Sequence, residues 1–188
     1  KDVALGIRYA VNNGAKIINM SFGKSYSPEQ PWVDSAIRYA ASKDVLIIHS
    51  AGNESYDLNI KSVYPSPYSN VFEDKAINMI TVGASSDPLI AEGLLTDFSN
   101  YGNKIVDLLS PGKKIYSSLP KQQYGFLDGT SMSAPILSHI AALIRAYFPK
   151  LSATEVKSIL LQSCWKPNDN ALKLDIVIKK GRGIRPAE

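Results

Sequence analysis

Three short segments combine residue types that could act on a bond. Asn19-Met20-Ser21-Phe22-Gly23 closes one apolar run, and Ser50-Ala51-Gly52-Asn53-Glu54 closes the next. Gly129-Thr130-Ser131-Met132-Ser133-Ala134-Pro135 opens a helical pattern. Gly129 permits a tight entry and a close backbone approach. Ser131 then falls in the first turn, where unpaired N–H groups and the helix dipole favour developing negative charge. Pro135 is compatible with a helix only near its start. A serine so placed can be a nucleophile whose own N–H helps hold an oxyanion. The plainer alternative is that Ser131 or Thr130 caps the helix. Asn53 carries the same ambiguity. Its carboxamide can donate to an oxyanion, or it can be a turn residue that tolerates left-handed geometry.

A nucleophilic serine needs a base. The two histidines are His49 and His139. His139 follows Ser131 by eight positions on the same helix, about 12 Å at 1.5 Å per residue, which is out of hydrogen-bond reach. His49 ends an apolar strand and reads as a core histidine bonded to a neighbour. Asp128 reads as a residue that orders the turn before Ser131. Cys164 is the single cysteine, so no internal disulfide and no cysteine metal site is expected. The Ser-x-x-Lys sequences at Ser21, Ser110 and Ser118 lie in loops, without the helical geometry that joins serine to lysine.

The elements that position these residues alternate. Helical spacing over Val3–Val11 precedes a buried strand at Ala15–Met20. A helix at Trp32–Ser42 precedes a strand at Val45–His49. That order predicts an α/β fold with a mainly parallel sheet flanked by helices. A loop follows over Glu54–Lys75, then strands at Ile77–Val82, around Phe98, at Ile105–Leu109 and at Ile115–Leu119. The strongest helix is Ser131–Tyr147. Ser152-Ala153-Thr154-Glu155 is a capping box that opens a last helix to about Ser163. Two of the three segments thus lie at carboxyl ends of strands, where ligands gather in parallel sheets. The 188 residues are 45% hydrophobic and 20% charged with net charge +4, an ordinary globular composition. The apolar runs are too short to span a membrane, and no basic stripe marks a nucleic-acid face.

Together the three segments resemble the subtilisin-like serine proteases, the subtilases of the peptidase S8 family. GTSMSAP resembles their nucleophile motif, SAGN their oxyanion-hole segment, and INMSFG the strand that lines their substrate cleft. TVGASS, DFSNYG and LLSPGKKIYSSLP follow the same family's succession of strand and turn, so the similarity runs from about Lys1 to Ser163. The resemblance implies a three-layer subtilisin-like fold, incomplete at its N-terminal side. It gives Ser131 the role of nucleophile, and it gives the oxyanion to Asn53 and the Ser131 N–H. Ser21, Phe22 and Gly23 would pair with the substrate as an added strand. Ser50, Ala51 and Gly52 would line the other side of the primary specificity pocket.

The family's catalytic Asp and His precede its serine along the chain, and neither motif is present here. They are therefore expected upstream of Lys1. Residues 1–178 then form a partial catalytic domain with a polar tail at 179–188, and these residues alone are expected to be inactive. The resemblance implies a polypeptide substrate and allows a propeptide partner, with no nucleic acid and no membrane span. No cofactor is expected; the family often binds calcium, but no compact carboxylate loop forms a site. A secreted or cell-envelope location in a bacterium follows from family habit. The Asn19-Met20-Ser21 and Asn53-Glu54-Ser55 sequons fall on the presumed cleft, where a glycan would block it. The competing reading is a catalytically dead pseudo-protease or a peptide-binding interaction module.

Overall fold

The computed structural model describes residues 1–69, 74–86, 94–164 and 182–183. Helix α1 (Asp2–Asn12) buries Ala4, Ile7 and Val11, which its 3.6-residue period sets on one side. Strand β1 (Ile17–Met20) follows. Helix α2 (Gln30–Ser42) carries Pro31 in its first turn, where the missing N–H has no intrahelical acceptor to lose. It buries Val33, Ala36, Ile37 and Ala40. Strand β2 (Leu46–Ser50) is buried throughout. The loop after it holds a two-residue pair, β3 (Tyr68–Ser69) with β4 (Asp74–Lys75). Strands β5 (Met79–Ser85) and β6 (Leu108–Pro111) complete the central core. Strands β7 (Ile115–Leu119) and β8 (Gln123–Leu127) form a separate antiparallel hairpin. Helices α3 (Thr130–Tyr147) and α4 (Ala153–Ser163) follow, then the short strand β9 (Arg182–Gly183).

The main sheet runs β1-β2-β5-β6-β9 with every pair parallel. Alternation along β2 shows why it needs helices on both faces. Leu46 and Ile48 pack with Leu137 and Ala141 of α3 and Val156 and Leu160 of α4. Ile47 packs with Ile7 of α1 and Ile37 of α2. Each such Leu or Ile contributes about 1.5–3 kcal/mol by leaving water. The predicted three-layer α/β arrangement is therefore present. Among the described residues β1 pairs with β2 alone, so its other edge is open.

Several boundaries differ from expectation. The strand expected at Ile77–Val82 runs from Met79 to Ser85, and Ile77 is exposed in a turn. The strand expected at Ile105–Leu109 starts only at Leu108. No strand forms at Phe98, and β8 was not foreseen. Of the tail at 179–188, Arg182 and Gly183 pair with Leu108 and Leu109, and the rest lies outside the described residues, as do 165–178. The β1–β2 register sets Met20 opposite His49, so Ser21, just past β1, comes beside Ser50, the last residue of β2.

Candidate active site

The amino end of α3 reaches the carboxyl ends of β1 and β2, and a distant side chain caps it. Neither Ser131 nor Thr130 caps the helix: Gly129 is the N-cap residue, and no side-chain cap is present there. The Asn53 Oδ1 atom accepts from the Thr130 N–H at 2.8 Å and from the Thr130 hydroxyl at 2.9 Å. That hydroxyl in turn accepts from the Gly52 N–H at 3.1 Å. Backbone N–H groups only donate, so the orientation of the Asn53 carboxamide is fixed by these bonds. Its oxygen faces the helix and its NH₂ faces away. A Cβ placed on Gly129 would lie 3.5 Å from Asn53 Nδ2 and 3.7 Å from the Ser131 nitrogen. Two donors thus flank one small space, kept open because residue 129 is glycine at φ 150°.

Asn100, which the sequence shows only as a turn residue, fixes the loop that carries Asn53. Fully buried, it donates to Ala51 O at 2.9 Å and Glu54 Oε2 at 2.7 Å. Its Oδ1 accepts from the N–H groups of Glu54 and Tyr56. Gly52, at φ 99°, lies directly against this carboxamide, and any Cβ there would collide with Asn100.

Ser131 is held across the chain rather than along the helix. Pro135 has no N–H to give to the carbonyl four residues earlier, which belongs to Ser131. The Ser21 hydroxyl takes that place, donating to Ser131 O at 2.9 Å. The Ser131 hydroxyl donates back to Ser21 O at 3.2 Å. Asn19 Nδ2 donates to Ser21 Oγ at 2.9 Å, and the Ser138 hydroxyl donates to Asn19 Oδ1 at 3.0 Å.

Residues 21–24 alternate. The Phe22 carbonyl faces inward, 2.9 Å from His49 Nε2, and Lys24 exchanges both backbone bonds with Tyr64. Ser21 and Gly23 face the other way. Gly23 makes no hydrogen bond among the described residues, so its N–H and C=O are open. The Phe22 ring is 47% exposed and is no part of the core. Ser50 and Ala51 are buried, Ala51 against Leu58, Val106 and Leu109. Gly52 alone of that trio is half-buried.

Neither histidine is bonded to Ser131. His139 is exposed on α3. His49 is buried, and burial, opposed by its bond to the Phe22 carbonyl, lowers its pKa to about 4. Asp128 orders its turn as expected, accepting from the Lys114 N–H at 2.7 Å; that bond holds its carboxyl below the usual range. Cys164 is buried, and its thiol donates to Leu160 O. Among the described residues no group of three or more His, Cys, Asp or Glu could hold a metal, and no helix is long and apolar enough to cross a membrane.

The Subtilase family matches residues 1–177. The "Major intracellular serine protease" of Bacillus subtilis is 36% identical over 164 residues, covering 84% of this chain and 47% of that protein. The "Cell wall-associated protease" of the same organism is 38% identical over 85% of this chain and 16% of its own length. Among solved structures, the prenylagaramide maturation protease PagA superposes with a TM-score of 0.74 at 31% identity, over 91% of this chain and 59% of that one. The chain spans about half the length of the first relative it matches. With the motifs, the layered sheet and this match over almost its whole length in agreement, the chain belongs to the subtilase family of serine proteases.

Proposed function

We propose that this chain supplies the nucleophile, the oxyanion donors and the substrate strand of a serine endopeptidase. The observation that carries the reading is that Asn53 Nδ2 and the Ser131 nitrogen flank the same space beside Gly129. A carbonyl oxygen placed there gains negative charge as Ser131 Oγ bonds to the carbonyl carbon. Donors already aimed at that point need no reorganisation, so they stabilise the transition state more than the ground state.

The Ser131 proton passes to a histidine base and from there to the leaving amine as the C–N bond breaks. Water, activated by the same base, then hydrolyses the acyl ester and restores the serine. Neither His49 nor His139 is placed for this, so the base and its orienting aspartate belong to polypeptide preceding Lys1. The substrate lies extended against Ser21 and Gly23: the backbone groups of Gly23 are open, and Ser21 O becomes so once the Ser131 hydroxyl leaves it, which suits an added strand. The cell wall-associated relative supports a secreted or cell-envelope location; the intracellular one shows that the family relation alone does not fix the compartment.

The test is hydrolysis of unfolded β-casein by the full-length protein. Ser131→Ala should lower kcat by at least about 10³, leaving what binding and the oxyanion donors supply. Turnover untouched by Ser131→Ala would overturn the nucleophile assignment. Casein that is bound and never cut would support the peptide-binding module instead.

A further inference from the structure

His49 is a buried titratable group that the proposed chemistry does not use. It sits in β2, directly beneath the segment that follows β1, and is 2% exposed. The regular ladder between β1 and β2 ends at the Met20–His49 pair. Beyond it, among the described residues, 21–23 have no strand partner until Lys24 meets Tyr64. Across that gap two bonds reach the backbone carbonyls. One comes from the Ser131 hydroxyl to Ser21 O. The other comes from His49 Nε2 to Phe22 O, at 2.9 Å. The first lies on the face where substrate would bind, and the attacking hydroxyl must leave it during reaction. The second lies on the buried face.

Among the described residues the ring makes no other bond. Nδ1 is buried without a hydrogen-bond partner. A carbonyl oxygen can only accept, so the neutral ring carries its proton on Nε2. An orphaned buried nitrogen destabilises, and an apolar side chain in its place would not. A Cβ on Gly23 would lie 3.9 Å from Nε2 and only 3.0 Å from Val63 Cγ1, so the segment rests directly on this part of the interior.

We infer that His49 is a positioning residue for peptide binding: by holding the Phe22 carbonyl inward, it turns the backbone groups of Ser21 and Gly23 outward toward an extended substrate. The inference rests on the peptidase reading. If the Phe22 carbonyl is released, the peptide plane between Phe22 and Gly23 is free to rotate, and the N–H of Gly23 loses its fixed direction. Affinity for the peptide should fall, while Asn53 and Ser131 keep their own bonds.

The experiment compares His49→Gln with His49→Met in full-length protein that also carries Ser131→Ala, so that nothing is cut. The two side chains are alike in length, and only Gln can donate to Phe22 O. Binding of fluorescein-labelled β-casein is followed by polarisation, with circular dichroism as a check on folding. Met should raise Kd at least tenfold and Gln less than threefold. Equal affinity of the Met variant and the His49 protein would overturn the inference, as would Gln binding as poorly as Met. If the protein with His49 intact binds no casein, the peptidase reading itself falls, and the inference with it. Should the Met variant fail to fold, the ¹⁵N spectrum of the unsubstituted ring at pH 7 decides: a proton on Nε2 is required, and a proton on Nδ1 would overturn the assignment.

Discussion

Helices α3 and α4 solve the same problem in opposite ways. Each must satisfy the free N–H groups of its first turn. Helix α4 does so largely within four residues. Ser152 Oγ accepts from the Glu155 N–H at 3.3 Å, and Glu155 Oε2 accepts from the Ser152 N–H at 2.7 Å. The Ser152 hydroxyl and N–H both hold the Glu155 carboxyl below its usual range. Asp44 Oδ1 adds an acceptor for the Ala153 N–H at 2.6 Å. Helix α3 has no such box. Its first N–H is taken by Asn53, 77 residues away, and the nitrogen of the next, Ser131, lies with the Asn53 amide beside the space next to Gly129. At α4 the Glu155 N–H is taken by Ser152 and the Ala153 N–H by Asp44. At α3 only the Thr130 N–H is taken by a side chain, which leaves the Ser131 N–H for an anion. Local rules broken in this way mark where chemistry belongs.

The largest effect expected from breaking this contrast is at α3. Asn53→Ala should lower kcat by about 10²–10³ in the full-length enzyme with KM changed less than threefold, the size such a donor has in subtilisin, a relative. Steady-state kinetics on casein-derived peptides check it. If Asn53 only shaped the turn, the protein would melt earlier and kcat per folded molecule would stay the same.

The next effect concerns His49 beneath the neighbouring strand. Its folded pKa of about 4 lies below the ordinary 6.5. Between those values the unfolded chain binds a proton and the folded one does not. Stability is therefore full above pH 6.5, falls as pH drops toward 4, and changes no further on this account below it. The total is about 3 kcal/mol. Urea unfolding from pH 7 to 4 should show this slope, and His49→Gln should remove that part of it.

Thr130→Val keeps the shape and deletes the hydroxyl between Gly52 and Asn53. About 1–2 kcal/mol of hydrogen bonding is lost, and kcat should fall up to about tenfold because the carboxamide is held by one bond instead of two. The smallest effect belongs to α4: Ser152→Ala should lower stability by about 1 kcal/mol in thermal unfolding and leave kcat unchanged.

The two helix starts also differ in how far the sequence reveals them. The Ser152–Glu155 box was legible because its partners are three residues apart. The α3 start was legible as a place, through Gly129, Ser131 and Pro135, but not as a device. The bonds that define it span 77 residues to Asn53 and 110 to Ser21, and no local pattern encodes such pairings. The same reason hid Asn100, which bonds back across 46 and 49 residues. Strand β8 escaped for a different reason. Its residues are nearly all exposed, so no apolar alternation marks it. Pairing with β7 holds it, with Tyr116 of β7 packed against Tyr124 and Phe126.

The central claim is that Asn53 Nδ2 and the Ser131 N–H receive a charged oxygen. A peptidyl boronic acid adds to a serine hydroxyl and presents such an oxygen; the same peptide ending in a carboxamide does not. The ratio of the two affinities, measured in full-length protein with and without Asn53→Ala, isolates the contribution of the oxyanion site. The account predicts that Asn53→Ala weakens the boronate about 10²-fold and the carboxamide less than threefold. Equal losses for both ligands, or none for either, would contradict it.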